Sequence, residues 1–205
     1  MLKTIAHALI PGEDAISLLK DDHRKVESLF KQFESSDNKR DKLKIAREIC
    51  MELAVHDKLE SKIFYPATKS TAKPAKDEIN EGIVEHEAIR RLIREIPSMK
   101  ATDEFFETRV GVLIEYVKHH VKEEEHSMFP KIVESKTDLK ALGEQMTAAK
   151  ERYQSEYVAP ATRAANSTGA ETGSGKSSSG KSAGTKSTGA AKSKNTKAAA
   201  RASAA

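Results

Sequence analysis

Apolar residues recur along this chain at steps of three and four over four long stretches, the spacing that collects them on one face of a helix. The first stripe reads Ile16, Leu19, His23, Val26, Phe30, Phe33, and the second Ala46, Ile49, Leu53, His56, Glu60, Ile63. The third reads Ile79, Ile83, His86, Ile89, Ile93, Ile96, and the fourth Phe106, Val110, Leu113, Val117, His120, Glu124, Met128. The punctuation agrees with this reading. Asp14, after Pro11-Gly12, caps a helix over residues 14–35, and residues 35–38 form a turn. Helix two then runs to about Pro66. Residues 66–74 are a loop rich in Thr, Ser, Ala and Lys, from which Pro74 opens helix three. Pro97-Ser98 closes helix three, Thr102 or Asp103 caps a fourth helix reaching about Pro130, and residues 138–157 read as a weaker fifth. That fifth helix carries Leu139, Leu142, Met146 and Ala149 at helical spacing. No β pattern occurs. The expected fold is all-α: an up-down-up-down four-helix bundle with a short fifth helix packed across its outside.

Composition divides the chain. From residue 161 onward there is no Ile, Leu, Val, Met or aromatic residue, only Ser, Thr, Gly, Ala, Lys and a few other polar residues. Such a segment cannot bury enough to offset its ordering entropy and is expected to be disordered. The expected organisation is an N-terminal extension over 1–13, a bundle domain over 14–158 and a basic tail over 159–205. Residues 161–205 carry eight Lys/Arg against one Glu, a net +7, which leaves the rest of the chain at −3 within the overall +4. The basic balance therefore belongs to the tail, and the folded part does not have the charge of a nucleic-acid-binding domain. The one cysteine, Cys50, excludes an intrachain disulfide and reads as a small buried hydrophobe. The run 5–10 is interrupted by His7 and too short for a signal h-region, and no stretch approaches a membrane span. A soluble, cytoplasmic protein is expected.

The polar members of the stripes carry the chemistry. An unpaired imidazole or carboxylate costs several kcal/mol to bury, so His23, His56, Glu60, His86, His120 and Glu124 need partners. They also repeat. His56 and Glu60 are followed by Phe64, Tyr65 and Pro66, and His120 and Glu124 by Met128, Phe129 and Pro130, at the same spacings. Asp22-His23 on helix one matches Glu85-His86 on helix three. One helical hairpin used twice brings all six groups to one depth, within roughly a turn at 1.5 Å rise per residue. Four nitrogens and two carboxylates suit two metals bridged by carboxylates, each capped by two histidines. Imidazole with carboxylate fits Fe, Mn or Zn. The alternative is a buried hydrogen-bonded polar network without metal. His119, His126 and His7 fall off the stripes, and the run 123–125 reads as a solvated helix face rather than a metal entry funnel. Tyr65 and Tyr116 are near enough to donate hydrogen bonds but read as packing residues.

On these residues the chain resembles the hemerythrin-like, or HHE cation-binding, family over about residues 14–135. The resemblance implies a bundle around a non-haem di-iron centre, with His23 and His56 on one iron, His86 and His120 on the other, and Glu60 and Glu124 bridging. It implies O2 or a related small oxidant as the partner, bound for sensing, storage or oxidative-stress protection. Peroxide or nitric oxide consumption on the same scaffold is a rival. Another is a nucleoid-associated protein whose tail makes weak, salt-dependent DNA contacts. Two departures stand out. Respiratory members place two histidines four apart on helix three, whereas His86 has Gly82 and Arg90 at those distances. Helix four also ends its site with a glutamate where the archetypes have aspartate. The missing nitrogen leaves either open, water-accessible positions or an extra carboxylate, for which Asp57 and Glu27 are the nearest candidates. The oligomeric state is left open.

Overall fold

The computed structural model describes residues 14–167. The helices are α1 (Ala15–Ser35), α2 (Lys39–Leu59), α3 (Tyr65–Thr71), α4 (Lys76–Glu95), α5 (Phe106–Glu123), α6 (Phe129–Val133) and α7 (Leu139–Ser167). No strand occurs among the described residues. Asp14 caps α1, its side chain accepting the Ser17 N–H at 2.9 Å, as expected. Asn38 caps α2 by accepting the N–H groups of Arg40 and Asp41.

The bundle is formed by α1, by α2 with its continuation α3, by α4, and by α5 with its continuation α6. The predicted end of helix two at Pro66 is corrected. A π-helical turn, Glu60–Phe64, joins α2 to α3, so the helix runs to Thr71 through most of the expected loop. The same device recurs on the fourth helix, where the π-helical turn Glu124–Met128 precedes α6 and carries the chain past Pro130. In each, the N–H just after the turn, on Tyr65 or Phe129, bonds back five residues to Glu60 or Glu124. Proline normally breaks a helix because its ring strikes the carbonyl four residues back. A turn with one extra residue opens that spacing, and such bulges occur frequently at functional sites. The start of the fourth helix is also corrected. It begins at Phe106 without a side-chain cap, while Asp103 accepts the Lys100 N–H and closes a turn upstream.

Every predicted stripe faces inward, with only Ile63 and Ile83 less than fully buried. The apolar side chains form two clusters. One holds Val26, Phe30, Phe33, Ile49, Leu53, Ile93, Phe106 and Val110, and the other Ile16, Leu19, Phe64, Ile79, Met128, Phe129 and Ile132. On each of the four long helices the stripe histidine falls between these clusters. Each large apolar side chain contributes about 1.5–3 kcal/mol on burial, and together they keep a polar layer dry that would be costly alone. The fifth helix, α7, packs against α1 and α2 through Leu142, Met146 and Ala149. It continues past residue 157 to Ser167, into the segment expected to be disordered. The predicted extension over 1–13 and tail residues 168–205 lie outside the described residues.

Candidate metal centre

All six predicted groups converge in the layer between the two clusters, and all are buried. Glu60 is central. Its Oε2 lies 3.1 Å from His56 Nε2, 3.2 Å from His86 Nε2 and 4.0 Å from His120 Nε2. Glu124 Oε2 lies 3.3 Å from His23 Nε2 and 3.6 Å from His120 Nε2. Two overlapping sets of ligand atoms result, one from His23, His56, Glu60 and Glu124 and the other from Glu60, His86 and His120. The first set holds His23 and His56 and the second His86 and His120, with Glu60 common to both.

The geometry separates a cation site from a self-satisfied polar network. Buried atoms without a hydrogen-bond partner include His23 Nε2, both Glu60 oxygens and Glu124 Oε2. Their contacts are short but off the line a ring N–H needs, so distance is met and direction is not. Lone pairs of nitrogen and oxygen facing one another repel unless positive charge lies between them. A network of buried polar groups is expected to satisfy its members; here these four atoms are left over, and among the inner nitrogens only His86 Nε2 and His120 Nε2 meet as a hydrogen-bonded pair, at 2.9 Å. This donor set fits metal ions.

Behind each imidazole stands a carboxylate. His23 Nδ1 meets Glu125 Oε1 at 2.8 Å, and His120 Nδ1 meets Glu85 Oε2 at 2.7 Å. Asp57 Oδ1 lies 2.7 Å from His86 Nδ1, though off the N–H direction, and Asp22 Oδ2 lies 3.8 Å from His56 Nδ1, within ion-pair reach only. A carboxylate on the outer nitrogen fixes the ring and makes the inner nitrogen a better donor to metal. These four residues were not singled out in the sequence as outer partners. Asp57 is therefore placed behind His86 rather than in the inner set, and Arg90 grips it through two nitrogens at 2.8 to 3.1 Å. Glu27 is not brought to the site and pairs with Arg24 outside. Glu125, expected on a solvated face, instead turns inward. Burial works against a charged Asp57, but His86 and Arg90 outweigh it and hold the carboxyl below its usual range.

Tyr65 explains the departure on helix three. In the repeat it occupies the place of Phe129, and the two rings pack against equivalent histidines, Phe129 on His23 at 6.1 Å and Tyr65 on His86 at 5.6 Å between centroids. The tyrosine adds a hydroxyl, which donates to Glu124 Oε1 at 2.9 Å. Gly82 makes room for it: a Cβ there would lie 3.0 Å from the Tyr65 oxygen. The position where a histidine was missed thus holds the Tyr65 hydroxyl. The repeat is broken as a result, because Glu124 has one oxygen engaged while Glu60 has both free for ligands. Burial, then the nearby Glu124 and Glu60 charges, push the phenol well above its ordinary value, so it stays a donor. Tyr65→Phe should keep the fold but weaken metal retention by about tenfold, read by competition with a chelator. Unchanged retention would make Tyr65 a packing residue.

A cavity of about 20 Å³ adjoins the centre, lined by the four histidines together with Val26, Leu53, Ile89, Val117 and Val121. Cys50 is buried, and burial pushes its thiol up to about 12, so it is no nucleophile. Tyr116 is exposed on the surface.

Comparison with known proteins gives the family. The hemerythrin HHE cation-binding domain model matches residues 14–157. A crystal structure of a hemerythrin HHE cation-binding domain-containing protein from Mycobacterium kansasii is 25% identical, with a TM-score of 0.61, covering 71% of this chain and 90% of that one. A protein from Nostoc sp. described as a DNA nickase is 26% identical over 115 residues, 56% of this chain. The chain spans about a third of that relative, 32% of its length.

Proposed function

The chain belongs to the hemerythrin HHE cation-binding domain family, and from that premise we propose that it holds two iron ions and binds O2 or a related small oxidant beside them. His23 and His56 would hold one ion and His86 and His120 the other, with Glu60 shared between them and Glu124 completing the set. The observation that carries this reading is Glu60, fully buried with both oxygens free and histidine nitrogens from α2 and α4 within 3.2 Å of one of them.

Two features favour a small oxidant over an organic substrate. The adjoining cavity, about 20 Å³ and walled by aliphatic side chains beside the histidines, Asp22 and Asp57, is of the size of a water or a diatomic molecule. No helix among the described residues offers a polar recognition group into it beyond Asp22, Asp57 and the histidines. Bound iron would supply the one-electron steps. The chain itself fixes the imidazoles through their outer carboxylates, keeps bulk water out with Val26, Leu53 and Val117, and presents the Tyr65 hydroxyl to Glu124.

The test is metal analysis of aerobically purified protein, followed by mixing with O2, peroxide or nitric oxide. About two irons per chain are expected, as in bundle di-metal carboxylate sites, with a spectral change that saturates at one oxidant per pair. Repeated consumption of peroxide or nitric oxide would move the reading to an enzyme. Protein that retains no transition metal would overturn it.

A second reading, DNA association, draws on the similarity to the Nostoc protein and on the net +7 of residues 161–205. Binding through such a segment is sharply salt-dependent. Chain lacking residues 168–205 should then lose DNA binding at moderate salt; unchanged binding would remove the tail from any such role.

A further inference from the structure

Three of the four carboxylates behind the imidazoles are themselves backed by a permanent cation. Arg24 pairs with Glu125, Lys150 of α7 with Asp22, and Arg90 with Asp57. The fourth is different. Glu85, which accepts from His120 through Oε2, has no Lys or Arg within ion-pair distance among the described residues. Its outer oxygen, Oε1, faces His119 Nε2 at 3.5 Å, and His119 Nε2 lies 3.3 Å from Glu123 Oε1. The three ligand atoms lie within 4.8 Å of one another.

We propose that Glu85, His119 and Glu123 form a third divalent-cation site, facing solvent on α4 and α5 and separate from the buried centre. The spacing argues for it. His119 and Glu123 repeat the His-x3-Glu spacing of His56–Glu60 and His120–Glu124 and lie one residue out of phase with the latter; the same spacing at His23–Glu27 differs in that Glu27 is taken up by Arg24. One residue is about 100° around a helix, which turns an inward pair into an outward one. Charge argues for it as well. Two carboxylates face one imidazole, an excess of negative charge where each sister carboxylate has an Arg or Lys. A divalent ion would supply the missing outer charge. One nitrogen and two oxygens suit Zn, Mn or Fe(II), with water filling the remaining positions. The His119 side chain is 62% exposed, and a surface hollow of about 210 Å³ lined by Glu85, Ala88, Tyr116 and His119 leaves room for that water. An ion held here would share Glu85 with His120, a single carboxylate away from the buried centre.

Titration of metal-free full-length protein with Zn(II), followed by equilibrium dialysis, tests the site. Wild type should bind one ion more weakly than the buried pair, as expected of an exposed, partly hydrated site. His119→Ala and Glu123→Gln should each lose that ion by at least about tenfold while retaining the tight pair. Both positions are exposed enough for the fold to be unaffected, which circular dichroism would verify. Glu60→Ala should behave oppositely, losing the tight ions and keeping the weak one. A wild-type protein with no weaker ion, or one whose weaker ion survives both surface substitutions, overturns the proposal. Loss of a weak ion in His119→Ala with no tight pair in wild type would uphold this site and reject the buried di-metal reading.

Discussion

Replacing Glu60 by alanine should empty both buried cation positions, whereas replacing His86 by alanine should leave one ion in place. Glu60 Oε2 is the atom that touches histidines of both pairs, at 3.1 Å to His56 Nε2 and 3.2 Å to His86 Nε2. Its second oxygen has no partner in the protein. Glu124 cannot replace it, because its Oε1 is engaged by Tyr65 at 2.9 Å. Loss of Glu60 also removes the negative charge that lets cations be gathered in a dry layer, so the effect exceeds that of one ligand. Metal affinity should fall by about a hundredfold or more, beyond the 10- to 100-fold cost of losing an outer partner. His86 serves one set only, and His23, His56, Glu60 and Glu124 remain together without it. Metal content per chain after gel filtration reads the result, with far-ultraviolet circular dichroism to confirm that each variant is helical. Two ions in Glu60→Ala would reject the shared role of that carboxylate.

The depth at which the six groups meet was legible because each lies on a stripe otherwise made of Leu, Ile, Val and Phe, and because the hairpin repeats. The outer carboxylates were not legible for a physical reason. A stripe marks which residues face the core, whereas Glu85 and Asp57 sit on the flank of a helix and reach a neighbour's ring. Asp22-His23 and Glu85-His86 carried a usable signal, since the acidic residue before each helix-one and helix-three histidine serves the ring of the next helix. Glu125 was misread because steps of 100° assume an α-helix. In the π-helical turn that begins at Glu124 each residue advances less around the axis, and Glu125 stays near the seam, 2.8 Å from His23. The same turn hid the passage of the helix through Pro66. Tyr65 looked like packing because its role depends on space left by Gly82, seventeen residues later in the chain, and pairwise steric fit is invisible to periodicity.

Stripping the metal should destabilise the protein far more at pH 9 than at pH 6. In the metal-free chain protons must replace the cations. Burial opposes a charged imidazole at His120, but Glu124, Glu60 and Glu85 outweigh it and push it up to about 10. Burial likewise opposes charge on His56 and His86, and is outweighed by Glu60 with Asp22 and by Asp57 with Glu60, so both are raised. His86 and His120 meet Nε2 to Nε2 at 2.9 Å, which lets one ring donate and the other accept, so this pair shares one extra proton. For groups raised on folding, the stabilisation is complete below the unfolded value of about 6.5 and is lost as pH climbs through the folded one. The metal-free protein should therefore weaken from about pH 6.5 toward 10. Loading works in the opposite direction, because a nitrogen that binds metal cannot keep its proton. Filling the centre at pH 7 should release about two protons, one from His56 and one from the His86–His120 pair. Each proton makes loading more favourable by about 1.4 kcal/mol per pH unit within that window. Calorimetry in two buffers of different ionisation enthalpy counts the protons, and melting temperatures of loaded and stripped protein at pH 6, 7.5 and 9 follow the widening gap. A gap that narrows as pH rises, or loading that releases no protons, would show that these imidazoles are not what the cations displace.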